Sequence, residues 1–199
     1  MSGWGGVTVV SGHAAAPLTV DDMRARLRLD PIPDDDAANA DVDAVLTACL
    51  SAAAASIDGP AGIGVAMMRQ TWRLTLDALP RAGLILPGGG VVGVASFRCY
   101  IGGEMVDIPA SDYRLVLGGV ARVVPADGAT WPSVTPAAGA VEIDYTLGAE
   151  TPEGVAPDLV AAVGLIASHM FNNSHGDMIA EIPPGAAHIL NRHRRGWIA

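Results

Sequence analysis

Five histidines are the first residues to weigh for chemistry: His13, His169, His175, His188 and His193. His169 and His175 stand six apart, and His188 and His193 five apart. Two histidines sharing a metal on one helix face need a spacing of about four, and zinc loops use tighter Cys/His spacings. A composite of His169, His175 and Asp177 is the arrangement that could hold a divalent ion for hydrolysis; the plainer reading is polar residues at helix ends. Cys49 and Cys99 lie far apart in apolar runs with no C-x-x-C, and read as two buried free thiols of a reducing compartment. No G-x-S-x-G elbow occurs, and Gly88-Gly89-Gly90 lacks the Lys-Ser/Thr of a phosphate loop. Glu142 and Asp144 share one side of an alternating strand, where paired carboxylates could exchange protons. Opposite Val141, Ile143 and Tyr145 they read as its solvated face. Asp34-Asp35-Asp36 reads as a helix start stabilised by the macrodipole, since no calcium-loop glycine and trailing glutamate follow. None of these sets makes a catalytic constellation, and the sequence implies neither an enzyme nor a cofactor or metal.

One cluster differs in kind. Arg192, His193, Arg194 and Arg195 arrive together near Trp197 and Ile198, after a stretch from Val123 to Asn191 with eight acids and no arginine. Arg and Trp are typical interface anchors. A frayed basic terminus favourable to a helix dipole is the competing reading. The chain as a whole is acidic, with a net charge of −9, so it lacks the basic field of a nucleic-acid binder. All 12 basic residues are arginine, which we attribute to codon bias.

The elements that must position these residues follow from periodicity. The 199 residues suit one domain, or one with an appendage, and are 50% hydrophobic but only 5% aromatic, so small side chains fill the core. With 24 Gly and 14 Pro, a purely helical bundle is excluded. Residues 1–17 are Gly/Ala-rich without a period and are expected to be a flexible arm. Thr19 and Asp22 form a capping-box pattern opening a first helix, which Asp30-Pro31 ends. Apolar spacing from Val42 through Cys49 to Ile57 predicts a second helix over Ala38–Ile57, with a small-residue opposite face. Alternation then predicts strands around Met68–Asp77, Leu84–Pro87, Val91–Ile101, Glu104–Ile108, Tyr113–Leu117, Ala121–Val124 and Val141–Leu147. Gly102-Gly103 and Gly118-Gly119 make hairpin turns. Pro157-Asp158 opens a third helix to Asn172, apolar on several sides, and Pro183-Pro184 a short last helix over Ala186–Arg194. The longest uncharged apolar helix candidate, Leu159–Phe171, falls short of the twenty or so residues a bilayer needs, and no basic region precedes an apolar run. Neither a membrane span nor a signal peptide is expected. The fold class is α+β: a helical core of three to four helices with an inserted antiparallel β-meander domain. Its expected parts are the arm 1–17, a helical domain 18–62 and 155–195, a β domain 63–154, and a C-terminal segment 186–199.

The string of motifs resembles the head–tail connector (adaptor) family of tailed phages and phage-like gene transfer agents. It covers about residues 17–195. "PLTVDDMRARLRLD" and "ADVDAVLTACLSAAAASID" are similar to the family's opening helices, and "MMRQTWRLTLDALP" to its Q-T-W-x-L-x-L-D-x-F-P strand. "LILPGGGVVGVASFRCYIGGE", "DYRLVLGGVARVVPADGATWP" and "VEIDYTLG" resemble the later strands. "VAPDLVAAVGLIASHMFNN" resembles its P-x-x-L-x-x-A-I-x-x-x-x-x-H-x-Y-x-N helix, and "IPPGAAHILNRHR" its closing segment. Leu79 replaces the family's aromatic, and Phe171 stands where Tyr is frequent; both are packing swaps.

The resemblance implies a non-enzymatic virion protein at the neck of the particle, present in the bacterial cytoplasm before assembly. It implies a twelvefold homo-oligomeric ring joining the portal protein to a stopper or tail-completion protein, with double-stranded DNA passing through without specific binding. An acidic wall would repel phosphates and let DNA slide. By position, the portal-docking segment falls on Arg192, His193, Arg194, Arg195, Trp197 and Ile198. Contacts between copies are expected from Leu159, Val163, Ile166 and Met170 on the third helix and from Val45 and Cys49 on the second. The competing readings are another neck or tail-completion protein (stopper or terminator) and, from a different class, a small metal-dependent hydrolase using His169, His175 and Asp177.

Overall fold

The computed structural model describes residues 6–12, 16–173 and 182–195. The chain divides into two compact units: a β unit containing the described parts of 1–13 and 69–148, and a helical unit containing those of 14–68 and 149–195. The α+β class therefore holds, with all strands but the first inserted between helical segments.

In the β unit, eight strands form two antiparallel sheets. These are β1 (Val7–Ser11), β2 (Gln70–Leu76), β3 (Leu84–Leu86), β4 (Val91–Ile101), β5 (Glu104–Asp107), β6 (Tyr113–Val116), β7 (Ala121–Pro125) and β8 (Val141–Leu147). The larger sheet runs β1-β2-β8-β4-β5 and the smaller β3-β7-β6. Strict alternation in β2 and β8 buries every second residue. Trp72, Leu74, Ile143, Tyr145 and Leu147 thus share one apolar face, which stabilises the sheet by about 1.5–3 kcal/mol per large side chain. Gln70 is the polar residue in that row, and the Trp72 indole N–H donates to its side-chain oxygen at 2.8 Å. Gly88, at φ +89°, is required by packing: a Cβ there would lie 2.9 Å from the Trp72 ring. The expected flexible arm is corrected by β1. Its residues VTVVS are rich in β-branched side chains, and they pair with β2 as an edge strand instead of hanging free.

The helical unit contains α1 (Val20–Leu27), α2 (Asp36–Ile57), α3 (Pro157–Asn172) and α4 (Pro184–His193), with a short 3-10 turn at Pro152–Gly154. The capping box forms as the sequence indicates, with Asp22 N–H donating to Thr19 Oγ1 at 3.1 Å and Thr19 N–H to Asp22 Oδ2 at 2.9 Å. α1 stops before Asp30-Pro31, at Arg28, which adopts the left-handed conformation (φ 57°). Asp35 caps α2, accepting from Ala38 N–H at 2.9 Å, so the acidic run is a helix start. The core joins Met23, Leu46, Leu50, Ile57, Leu159, Val163, Ile166 and Leu190. Ile63, Met67 and Met68 belong to it too, which puts the connecting segment before β2 with the helices rather than with the strands. α2, at 22 residues, is a longer apolar helix than the Leu159–Phe171 candidate. Its most apolar window has a mean hydropathy of 1.5 and is 28% buried, so by length and composition it could cross a membrane. Alanines supply that apolarity.

Candidate assembly surfaces

The C-terminal basic cluster is presented by α4. This ten-residue helix has Pro184 in its first turn and buries Ala186 and Leu190 against the helical core. Arg192 and His193 sit in its last turn, where positive charge complements the helix dipole. Both reach Asp158 at the start of α3: His193 Nε2 lies 2.7 Å from Asp158 Oδ2, and Arg192 Nη2 donates to the same oxygen at 3.1 Å. Asp158 Oδ1 accepts from Leu159 N–H at 3.0 Å. The Asp158 carboxyl is held below the usual carboxylate range, first by its hydrogen bond with His193 and then by the charges and backbone donor around it. Arg192 and His193 therefore fasten α4 to α3, a role that sequence reasoning did not assign.

Beyond them Arg194 and Arg195 are exposed. Arg195 N–H donates to Ile63 carbonyl at 2.9 Å, and Gly64, at φ +75°, lets the backbone pass: a Cβ there would come within 2.7 Å of the Arg195 carbonyl oxygen. The Arg195 backbone is thus held by contacts within the helical unit. Trp197 and Ile198 lie outside the described residues, as do His13, His175 and Asp177.

The expected contacts between copies divide. Leu159, Val163 and Ile166 are 3%, 0% and 2% exposed inside the helical unit's own core, so that stripe is used within the chain and is not offered to a neighbour. This corrects the expectation that Leu159, Val163 and Ile166 contact another copy: α2 and α4 cover α3. Met170 and Cys49 are half-buried, and Val45 is 45% exposed. Val45 belongs to an uncharged outer face of α2 with Ala44, Ala48, Ser51, Ala52 and Ala55, all exposed. Leu165 is the exposed large apolar residue of α3, and it is not among the expected contact residues.

The residues weighed for catalysis are occupied otherwise. Asp144 takes a two-point ion pair from Arg73 (2.7 and 2.8 Å) and a hydrogen bond from Ser96 at 3.2 Å. Arg98 pairs with Glu142, and Arg73 reaches the same carboxylate at 3.8 Å. The Arg73 hydrogen bond holds the Asp144 carboxyl below its ordinary range, and Asp144 raises Arg73 in turn. The pair is a salt-bridged ladder across β2, β8 and β4. His169 contacts Asn173 one turn on, Nδ1 to Nδ2 at 3.3 Å. Among the described residues no three His, Cys, Asp or Glu side chains converge on a metal position. Cys49 and Cys99 are free thiols, Cys99 pushed up to about 11 by burial.

Comparison with solved structures covers nearly the whole chain. A chain of the virion of a native gene transfer agent particle matches at 29% identity and a TM-score of 0.72, over 97% of both chains. A chain from the neck of an empty gene transfer agent particle, computed with C6 symmetry, matches at 27% and 0.68 over 98% of this chain and 97% of that one. A chain from the neck of a native particle, computed with C12 symmetry, matches at 26% and 0.63 over the same shares. No family model and no curated protein matches. Fold and matches together define the class, an α+β structural component of a phage-like particle's neck. The matches support the gene transfer agent head–tail connector family that the chain's motifs resemble.

Proposed function

We propose that this chain is the adaptor of such a neck: a non-enzymatic protein that repeats as a ring, docks on the portal through its C-terminal segment, and hands over to a stopper or tail-completion protein. The observation that carries the reading is similarity along 97–98% of the chain to components of particles whose necks were computed with C6 and C12 symmetry. Two features support it. A ring needs a surface for its own copy, and the uncharged outer face of α2, with Val45 and Cys49 beside it, has the small side chains that let another helix approach closely. The docking segment, in turn, leaves a fixed platform, because α4 is pinned by Asp158 and the Arg195 backbone by Ile63.

Exposed acids occur on both units, among them Glu104, Asp107 and Asp112 in the β unit and Glu150 and Glu153 in the helical unit. Asp43, Asp127, Glu142, Asp144 and Asp158 are paired with arginine or histidine. Asp30, Asp34, Asp36 and Asp41 are exposed around the corner between α1 and α2. That corner is the part of the ring we assign to the DNA channel, where like charge would keep phosphates from sticking.

The test removes Arg194–Ala199 and keeps Arg192 and His193. The shortened chain should stay folded, losing only the Arg194–Leu190 and Arg195–Ile63 backbone hydrogen bonds, yet fail to join portal in assembling particles. Normal incorporation would overturn the docking role. Crosslinking in intact particles tests the neighbours: contact with portal supports the adaptor, whereas contact with the tail tube alone makes the chain a terminator.

A further inference from the structure

The larger sheet is open at both ends. Among the described residues β1 and β5 each have one neighbour, and their side chains are largely exposed: Val9 44%, Val10 51%, Met105 39% and Val106 42%. Bare edges of this kind recruit further strands unless charge, proline or a covering element protects them. β1 carries no charge and no proline, and its bulge falls at Val10, beyond Val7–Val9.

The backbone phase of both edges can be worked out. Thr75 N–H donates to the Gly6 carbonyl, so on β1 the peptide groups of Gly6 and Thr8 face β2 while those of Val7 and Val9 face outward. Ile108 N–H donates to the Phe97 carbonyl, so on β5 Val106 faces β4 while Met105 and Asp107 face outward. Every neighbouring pair in the five-stranded sheet is antiparallel, so the two edge strands run in the same direction. A rotated copy in a ring keeps nearly that direction, and its β1 would meet β5 in parallel. In a parallel ladder one residue bonds to the two flanking its neighbour, so Val9 beside Val106 would donate to the Met105 carbonyl and accept from Asp107 N–H. Side-chain faces agree with this register. Val9 stands opposite Trp72, and Val106 opposite Cys99, both on the buried face. Met105 then falls beside Thr8 on the other face. The acids of β5 meet no like charge, because β1 has none.

We propose that neighbouring copies in the neck ring join the β5 edge of one to the β1 edge of the next, making a single continuous sheet around the ring. This rests on the ring reading above. Head-to-tail joining of two different surfaces is what cyclic symmetry requires, and it leaves no free edge once the ring closes. Strands spaced about 4.8 Å apart give each copy about 24 Å of sheet. Twelve copies, the symmetry printed for one matched neck, would give a circumference of about 290 Å and a strand layer at a radius of about 46 Å.

The experiment places cysteines at Thr8→Cys and Met105→Cys in the full chain, singly and together, in assembled particles. Cys49 is replaced by alanine in every variant, and Cys99 projects to the opposite face and does not compete. After mild oxidation the double variant should give a ladder from dimer up to the full ring on a denaturing gel, and each single variant monomer alone. Asp107→Pro removes the outward N–H that would donate to Val9 without touching the β4 ladder, and added to the double variant it should abolish the oligomers. Dimers from a single variant would indicate two-fold edge pairing and overturn the proposal. A neck ring that is intact by imaging but whose chains stay unlinked overturns edge pairing alone. Absence of the chain from a neck ring overturns the ring reading and this inference with it.

Discussion

Replacing Leu190 by alanine should undock α4 while the rest of the helical unit stays folded. Leu190 is 2% exposed and, with Ala186, is the buried stripe of a ten-residue helix. Isolated helices shorter than about 12–15 residues are marginal in water, and α4 has no side-chain cap at its start. Its order comes from that packing and from the Asp158 pairs at its last turn. Leu→Ala at a buried site costs about 2–5 kcal/mol. α4 is the last described helix of its unit, where neighbouring side chains can close part of the cavity, so we expect about 2–3 kcal/mol here. At about 1.4 kcal/mol per factor of ten, local opening should rise about 30- to 150-fold. Hydrogen exchange followed by mass spectrometry checks it: amides of residues 188–193 should lose protection by that factor, and those of α3 should change little. Equal loss in α3 and α4 would refute the reasoning, because it would make α4 part of one cooperative block. Unchanged protection would refute it too, because α4 would then be held by something other than Leu190.

Two further changes test the electrostatics. Asp158→Asn keeps an acceptor for Leu159 N–H but removes the charge facing Arg192 and His193, and should cost about 1 kcal/mol by urea denaturation at neutral pH. Because the folded carboxyl titrates below its ordinary value, that contribution is complete above the ordinary range and fades as pH falls through the folded value; native and variant midpoints should converge once pH is below that folded value. Arg73→Ala leaves the half-buried Asp144 without its two-point partner and should cost about 2 kcal/mol, with a double-mutant cycle against Asp144→Ala recovering about 1 kcal/mol or more of coupling. The variant should also keep its stability flatter in acid, since Asp144 no longer gains from a depressed folded value.

The sequence was most legible where one period ran for many residues. β2, β8 and α3 lie where alternation or helical spacing put them, because each has a clear apolar side and a turn signal at its end. β1 was not legible. Five residues between glycines give too short a run for a period, and the strand exists because β2 offers it a ladder. The surface roles were hidden for a related reason. Apolar spacing marks Leu159, Val163 and Ile166 as a buried stripe but cannot say whether the cover is α2 or a second copy. Asp158 stands 35 positions before His193, and no local pattern signals their contact. Glu142 and Asp144 were readable as a polar face, while the arginines on two other strands that neutralise them were not.

The contrast between the two units' exposed surfaces is the strongest argument for assembly. On the sheet, half-exposed positions carry Arg73, Arg98, Glu142 and Asp144, the mixture of signs expected where water is the only neighbour. On α2 no charge occurs between Asp43 and Asp58, and the outer face is alanine, serine, threonine and Val45. Helix propensity alone does not explain this, since Glu, Lys, Arg and Gln are nearly as good helix formers as alanine and make a water-facing helix more soluble. Alanine differs from them in letting a second backbone come to within the 8–10 Å of packed helices. A helix of 22 residues that commits five of them to its own unit's core, and keeps the opposite side small and uncharged, fits a protein whose packing is finished by its neighbours in the ring.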